Sequence, residues 1–168
     1  MNPLQYTLPL YERQFVVHLH QATRLHYDLR IEYGRNNLLD WVVPKGPSFD
    51  PRVGRLAIRS HDHKMSCLRF EGRIRDGAYG AGPLLIWDTG PFLIRRVLHF
   101  SDEETIRRGL KRGLLQITFH GERLQGGWTL RKSFGNWQLR KDEDAFARYD
   151  GRPLEDWSIV TGRRLRDL

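Results

Sequence analysis

FVVHLHQATRLHYDLRIE, residues 15–32, alternates in character on both sides of a short break. Side chains two apart in a strand point the same way. Phe15, Val17 and Leu19 therefore share one face of a first strand, and Val16, His18 and His20 the other. In a second strand Leu25, Tyr27, Leu29 and Ile31 share a face, opposed by His26, Asp28, Arg30 and Glu32. The pattern predicts a β-hairpin with one apolar and one polar face. If His20 pairs with His26 across the loop, His18 faces Asp28. Cross-strand partners have Cβ atoms about 4.5–5.5 Å apart, so that register gathers three imidazoles, a carboxylate and a guanidinium on one patch.

Two readings fit such a patch. Two His and one Asp on a rigid hairpin form a facial set of metal ligands, suited to Mn, Fe, Zn or Ni, with positions left open for water and substrate. Arg30 beside them offers a fork for a phosphate. The plainer reading is a solvated face on an ordinary hairpin. Solvated faces usually carry Lys, Thr, Gln or Ser, and the composition here leans the other way.

The 168 residues are enough for one domain with a real core. At 39% apolar and 11% aromatic the chain is not a disordered one. No run approaches the ~20 apolar residues of a membrane span. Residues 1–14 lack a basic region followed by an apolar core, so no signal peptide is expected. The single Cys67 excludes an internal disulfide framework and fits a reducing, cytoplasmic setting. Its thiol reads as a small apolar filler rather than a reactive group. Twenty-eight Lys and Arg against 20 Asp and Glu give a net charge of +8. That excess favours a polyanion, nucleic acid ahead of an anionic membrane; the alternative is a solubility surface with no partner.

Outward from the hairpin, Pro3 and Pro9 make residues 1–14 irregular. Residues 34–37 (GRNN) read as a turn and 38–43 (LLDWVV) as a buried strand. The strand runs into PKGPS, a loop whose prolines leave Lys45 little freedom. Residues 55–60 (RLAIRS) and 84–88 (LLIWD) read as strands. Between them, DGAYGAG (76–82) implies tight backbone geometry or close approach to a ligand. Residues 101–112 form the one clear helix, with Ser101 and Glu104 as a capping box and Gly113 as its stop. Residues 114–120, 128–132 and 137–141 read as strands punctuated by glycines, and 142–149 as a short second helix. The tail, from residue 156, is expected to be partly ordered at best. The five tryptophans fall in strand-like segments as core rather than as base-stacking platforms. Short strands and glycine turns mean a mostly β fold, a barrel or a sandwich, with a pocket at the mouth suiting the polar hairpin face.

Several segments in order then resemble one family. HQATRLHYDLRIE, WVVPKGPSFDP, RLAI, the DH pair, FEG, DGAYGAG and IWD, followed by HGERLQGGWTL, WQLRK and SIVTGR, are similar to the 3′-phosphoesterase domain of bacterial ligase D. The resemblance spans roughly residues 15 to 165. It implies a small β-barrel with one or two flanking helices over residues 15–160, with residues 161–168 as a basic tail. It implies manganese as cofactor and removal of a 3′-terminal ribonucleoside, a 3′-phosphate, or both, to leave a 3′-OH. By position it assigns His20, His26 and Asp28 as metal ligands. It assigns Arg30, Lys45, Arg55 and His63 to the scissile phosphate or to support of the site. It further implies duplex DNA or primer-template ends as partner, and a separate DNA ligase and an end-binding protein as associates of a monomer. The alternative is a non-catalytic nucleic-acid-binding barrel of the same family.

Three positions depart from the family pattern. Cys67 stands where the family has Tyr, His18 where it has Gln, and His61 where it usually has Glu. Residues 1–14 also show no basic-acidic arm of the family type.

Overall fold

The computed structural model describes residues 12–95 and 99–168. Residues 1–11, most of the segment expected to be irregular, lie outside the described residues. In chain order the strands are β1 (Gln14–Gln21), β2 (Leu25–Tyr33), β3 (Asn37–Val43), β4 (Arg55–Arg59), β5 (His63–Lys64), β6 (Gly72–Ile74) and β7 (Gly82–Ile94). Helix α1 (Asp102–Arg112) follows, then β8 (Leu114–His120), β9 (Gln125–Ser133) and β10 (Asn136–Lys141). Eight strands run antiparallel around a closed barrel in the order β1-β2-β3-β4-β10-β9-β8-β7, and β7 returns to β1. Closure removes the free edges that an open sheet would expose.

The long β7 makes the seam. Its residues 84–91 pair with β1, and Phe92 to Ile94 pair with β8. The β1–β7 register slips between Val17 and His18, a bulge of the kind that bends a barrel wall. Inside, Phe15, Val17, Leu29, Ile31, Trp41, Trp87, Phe119, Trp128 and Leu130 are all at most 2% exposed. Rings meet edge-on, as aromatic quadrupoles prefer: Trp41 with Trp137 at 5.8 Å and Tyr27 with Trp87 at 5.5 Å. Four tryptophans are thus core, as expected, while Trp157 lies at the surface beneath the Arg123 guanidinium. Leu25, at the hairpin end, is half-exposed rather than buried with its alternate neighbours.

Helix α1 starts and stops where its sequence signals lie. Ser101 accepts from the Glu104 amide, and Gly113 ends the helix in the left-handed conformation at φ 75°. The reciprocal half of the capping box is not made; the Glu104 carboxylate instead holds Arg107 and Arg108 at 2.6–2.8 Å.

Other expectations need correcting. Gly126 and Gly127 do not break a strand but lie inside β9, where Cβ atoms would collide with Asp144 and Asp142. Residues 142–149 are not a helix. Asp144 accepts from its own Phe146 amide, from Gly127 N and from buried Lys141, and a local side-chain bond of that kind competes with helix formation. The tail is folded. Trp157 bridges to Arg164, Ser158 is fully buried, and Leu165 and Leu168 pack on the core. Among the described residues no helix is long and apolar enough to cross a membrane.

Candidate metal centre and its cavity

The hairpin adopts the register its pattern predicts: His20 pairs with His26 and His18 with Asp28. Its polar face is not solvated. His18 is 0%, Asp28 3% and Arg30 6% exposed. Residues 63–80 cover it, and the Phe70 carbonyl accepts from His18 Nε2 at 2.9 Å. Five polar residues, His18, His20, Asp28, Arg30 and Glu32, are buried there, and they bond to one another or to the backbone, with Arg30 Nε left without a hydrogen bond.

His20, His26 and Asp28 each place one donor atom within 4.8 Å of the other two. Asp28 Oδ2 lies 3.2 Å from His20 Nδ1, and Oδ1 lies 3.1 Å from His26 Nε2. The outer nitrogens are engaged elsewhere: His20 Nε2 donates to the Gly80 carbonyl at 2.8 Å and His26 Nδ1 to the Arg24 carbonyl at 2.8 Å. A carbonyl only accepts, so those nitrogens carry the ring protons. The inner nitrogens face an ionised carboxylate: protonated, they donate to it, and in a neutral ring they present a lone pair. Lone pair meets lone pair across both gaps unless a cation lies between. Extra protons do this one ring at a time, and Asp28 accordingly holds the His26 ring above the ordinary imidazole range. One divalent ion satisfies all three donors together, and two imidazoles with a carboxylate suit a divalent transition metal. Backbone carbonyls that fix the tautomer of ligating imidazoles are a usual accompaniment of such sites.

Behind the cluster runs a continuous polar chain. Arg30 Nη2 donates to Asp28 Oδ2 at 3.2 Å, and Nη1 donates to His18 Nδ1 at 3.1 Å. Burial, and then the Arg30 charge, push His18 down to about 3, so it is neutral. Burial opposes the Asp28 charge, but hydrogen bonds from His20 and His26 and the Arg30 charge prevail and hold it well below the usual carboxylate range. On the other side of Arg30, Asp40 Oδ2 lies 3.6 Å from Nε and accepts from His63 Nε2 at 2.9 Å. The hydrogen bond to Asp40, and then one to Cys67, raise His63 to about 9. Cys67 is therefore not an inert filler: the neighbouring His63 ring lowers its thiol below the ordinary range.

These groups line a cavity of about 500 Å³: His20, His26, Asp28 and Arg30 from the hairpin, with Asp40 and His63. Its lips are the β1–β2 turn (Ala22, Thr23, Arg24) and the loop carrying Tyr79 and Gly80. Two residues singled out from the sequence lie elsewhere. Lys45 is exposed on its proline-flanked loop and does not line the cavity. Arg55 shares its strand face with buried Ala57 and borders a smaller cavity beside Phe49 and Arg148. Sequence reasoning missed Asp40 and Tyr79. A lone carboxylate inside the apolar LLDWVV, and the one aromatic residue in a glycine loop, were the available signals.

A His-His-Asp donor cluster on a closed barrel narrows the choice of relatives, and comparison decides it. The model of the DNA ligase D 3′-phosphoesterase domain matches residues 18–132. The chain belongs to this family. The multifunctional non-homologous end joining protein LigD of Pseudomonas aeruginosa is 39% identical over 140 residues, which are 80% of this chain and 16% of that protein. The LigD protein of Mycolicibacterium smegmatis is 36% identical over 132 residues, 78% and 17% of the two chains. That of Mycobacterium tuberculosis is 34% identical over 138 residues, 79% and 17%. The chain thus spans 16–17% of the length of these curated relatives. The stretch matched to the phosphoesterase domain contains the whole cavity wall, together with Lys45, Arg55 and Cys67; Trp157 and the segment after it lie beyond.

Proposed function

We propose that this domain is a manganese-dependent phosphoesterase that heals 3′ ends of DNA. It removes a 3′-terminal ribonucleoside, a 3′-phosphate, or both, and leaves a 3′-OH. The observation that carries the reading is the cluster of His20, His26 and Asp28, whose donor atoms lie within 4.8 Å of one another beside an open cavity. Family membership supplies the reaction class, and the net charge of +8 suits a nucleic-acid strand.

His20, His26 and Asp28 would hold the ion. A divalent metal there supplies Lewis-acid polarisation of the phosphoryl oxygen and a bound water of lowered pKa. Arg30 is fixed between Asp28 and His18, so its guanidinium is pre-oriented toward charge developing on the nonbridging oxygens. His63, protonated at neutral pH and held by Asp40, gives its proton to the leaving oxygen; a positioned acid contributes about 10²–10⁴-fold. Lys45 and Arg55, which lie outside the cavity, take a supporting role. The proposed setting is cytoplasmic, with a DNA ligase activity and an end-binding protein as partners.

The test uses a primer-template ending in one ribonucleotide and a second ending in a 3′-phosphate. Each is incubated with protein and manganese, with chelator and His26→Ala as controls. Metal-dependent shortening or dephosphorylation that needs His26 is expected. Tight, salt-sensitive binding with no product on either substrate would instead identify a binding module.

A further inference from the structure

The cavity is several times larger than a phosphate group needs, and its rim carries an aromatic array that the phosphoryl chemistry does not use. Tyr79 is 82% exposed on the lip. His61 meets its ring edge-on at 5.2 Å and lies over His63 at 4.6 Å, with an interplanar angle of 37°. An exposed tyrosine usually has a cost in solvated apolar area, and here it forms the end of a π-surface that leads down to the acid.

This array is held in place from both sides. Gly80, next to Tyr79, gives its carbonyl to the metal-donor His20. Two backbone turns, Ala78 N to Arg75 O at 3.2 Å and Ala81 N to Ala78 O at 3.1 Å, fix the loop. On the other side Asp62 is gripped by Arg59 and by Asn37 Nδ2, which anchors the segment bearing His61.

We propose that Tyr79 and His61 form a stacking ledge for the nucleobase of the 3′-terminal nucleoside, and so set the specificity of the site for a nucleoside-tipped end. The proposal rests on the phosphoesterase reading for what sits at the metal. Its own content is separate: a flat, sequence-tolerant partner at the rim, as every base has a π-face. Neither Tyr79 nor His61 is acidic, so the two rings themselves bring no negative charge to the strand.

Two readouts test it. In the first, a primer-template carrying a 3′-terminal 2-aminopurine ribonucleotide is bound by the full chain in chelator, and its fluorescence is followed. Quenching that is lost in Tyr79→Ala and kept in Tyr79→Phe is expected. In the second, KM is compared for a 3′-terminal ribonucleoside and a 3′-terminal abasic ribose. Wild type should favour the base-bearing end at least about fivefold, and Tyr79→Ala and His61→Ala should bring that ratio close to one. Unquenched 2-aminopurine on a bound primer, or an unchanged KM ratio in both variants, would overturn the ledge. Absence of cleavage by wild type on either end overturns the phosphoesterase reading instead, and the fluorescence arm still decides the ledge.

Discussion

His63 Nε2 donates to Asp40 Oδ2 at 2.9 Å, and the same carboxylate oxygen lies 3.6 Å from Arg30 Nε. One buried acid thus ties the raised imidazole to the guanidinium of the metal wall. His63 titrates at about 9 in the fold against 6.5 in the unfolded chain. Its contribution to stability is complete below about pH 6.5 and is lost as pH rises through 9. Asp40→Asn should lower the His63 pKa toward 6.5 and move the alkaline limb of the activity profile with it. Imidazole titration by NMR checks the first shift and a pH–rate profile the second; a profile that stays in place would remove Asp40 from the positioning role.

His18 makes a different prediction. It is neutral, with one bond donated to Phe70 and one accepted from Arg30. A Gln amide offers the same pair of functions, so His18→Gln should fold with a loss below about 1.5 kcal/mol. His18→Ala strands a buried carbonyl and a guanidinium N–H and should cost about 2–4 kcal/mol. The unfolded chain protonates this ring near pH 6.5 while the fold resists down to about 3, so stability falls as pH drops across that window. Denaturant midpoints at pH 7 and pH 4.5 should therefore differ less for His18→Gln than for wild type.

Metal binding has a readout independent of turnover. A ligand that binds only the folded state stabilises it by about 2.7 kcal/mol at a hundredfold excess over Kd. Manganese should raise the Tm of wild type and leave His26→Ala unmoved, since His26 is half-buried and its removal spares the core. Equal shifts in the two proteins would place the ion elsewhere.

Gly82 controls the seam beside the site. Its φ is +131°, and a Cβ there would lie 1.9 Å from the Gln21 carbonyl oxygen. Gly82→Ala should cost about 3 kcal/mol or more, because neither backbone has room to move. A thermal melt checks this; a shift of less than about 2 °C would show that the seam relaxes.

The hairpin register was legible because alternation with period two fixes which residues face each other. The helix was legible from its cap and stop. The burial of the polar face was not, because the cover comes from residues fifty to sixty positions downstream in sequence, through the carbonyls of Phe70 and Gly80. For the same reason Cys67 looked inert until its place beside His63 was in view. Residues 142–149 carry helix-compatible residues, yet Asp144 serves three distant or local donors and holds them in turns. Family position alone grouped Lys45 and Arg55 with the hairpin, and the strand geometry sets Arg55 on the core-facing side.

The two lips of the cavity are also the two clamps on its donors: Arg24 holds His26 and Gly80 holds His20, each through a backbone carbonyl. Lengthening either loop to admit a bulkier end would swing an imidazole away from Asp28. On the proposed metal site, substrate range would thereby be mechanically linked to metal affinity. Diversification that keeps the ion has to proceed through side chains displayed on the lips, at Thr23, Arg24 and Tyr79, while the loop backbones stay the length they are.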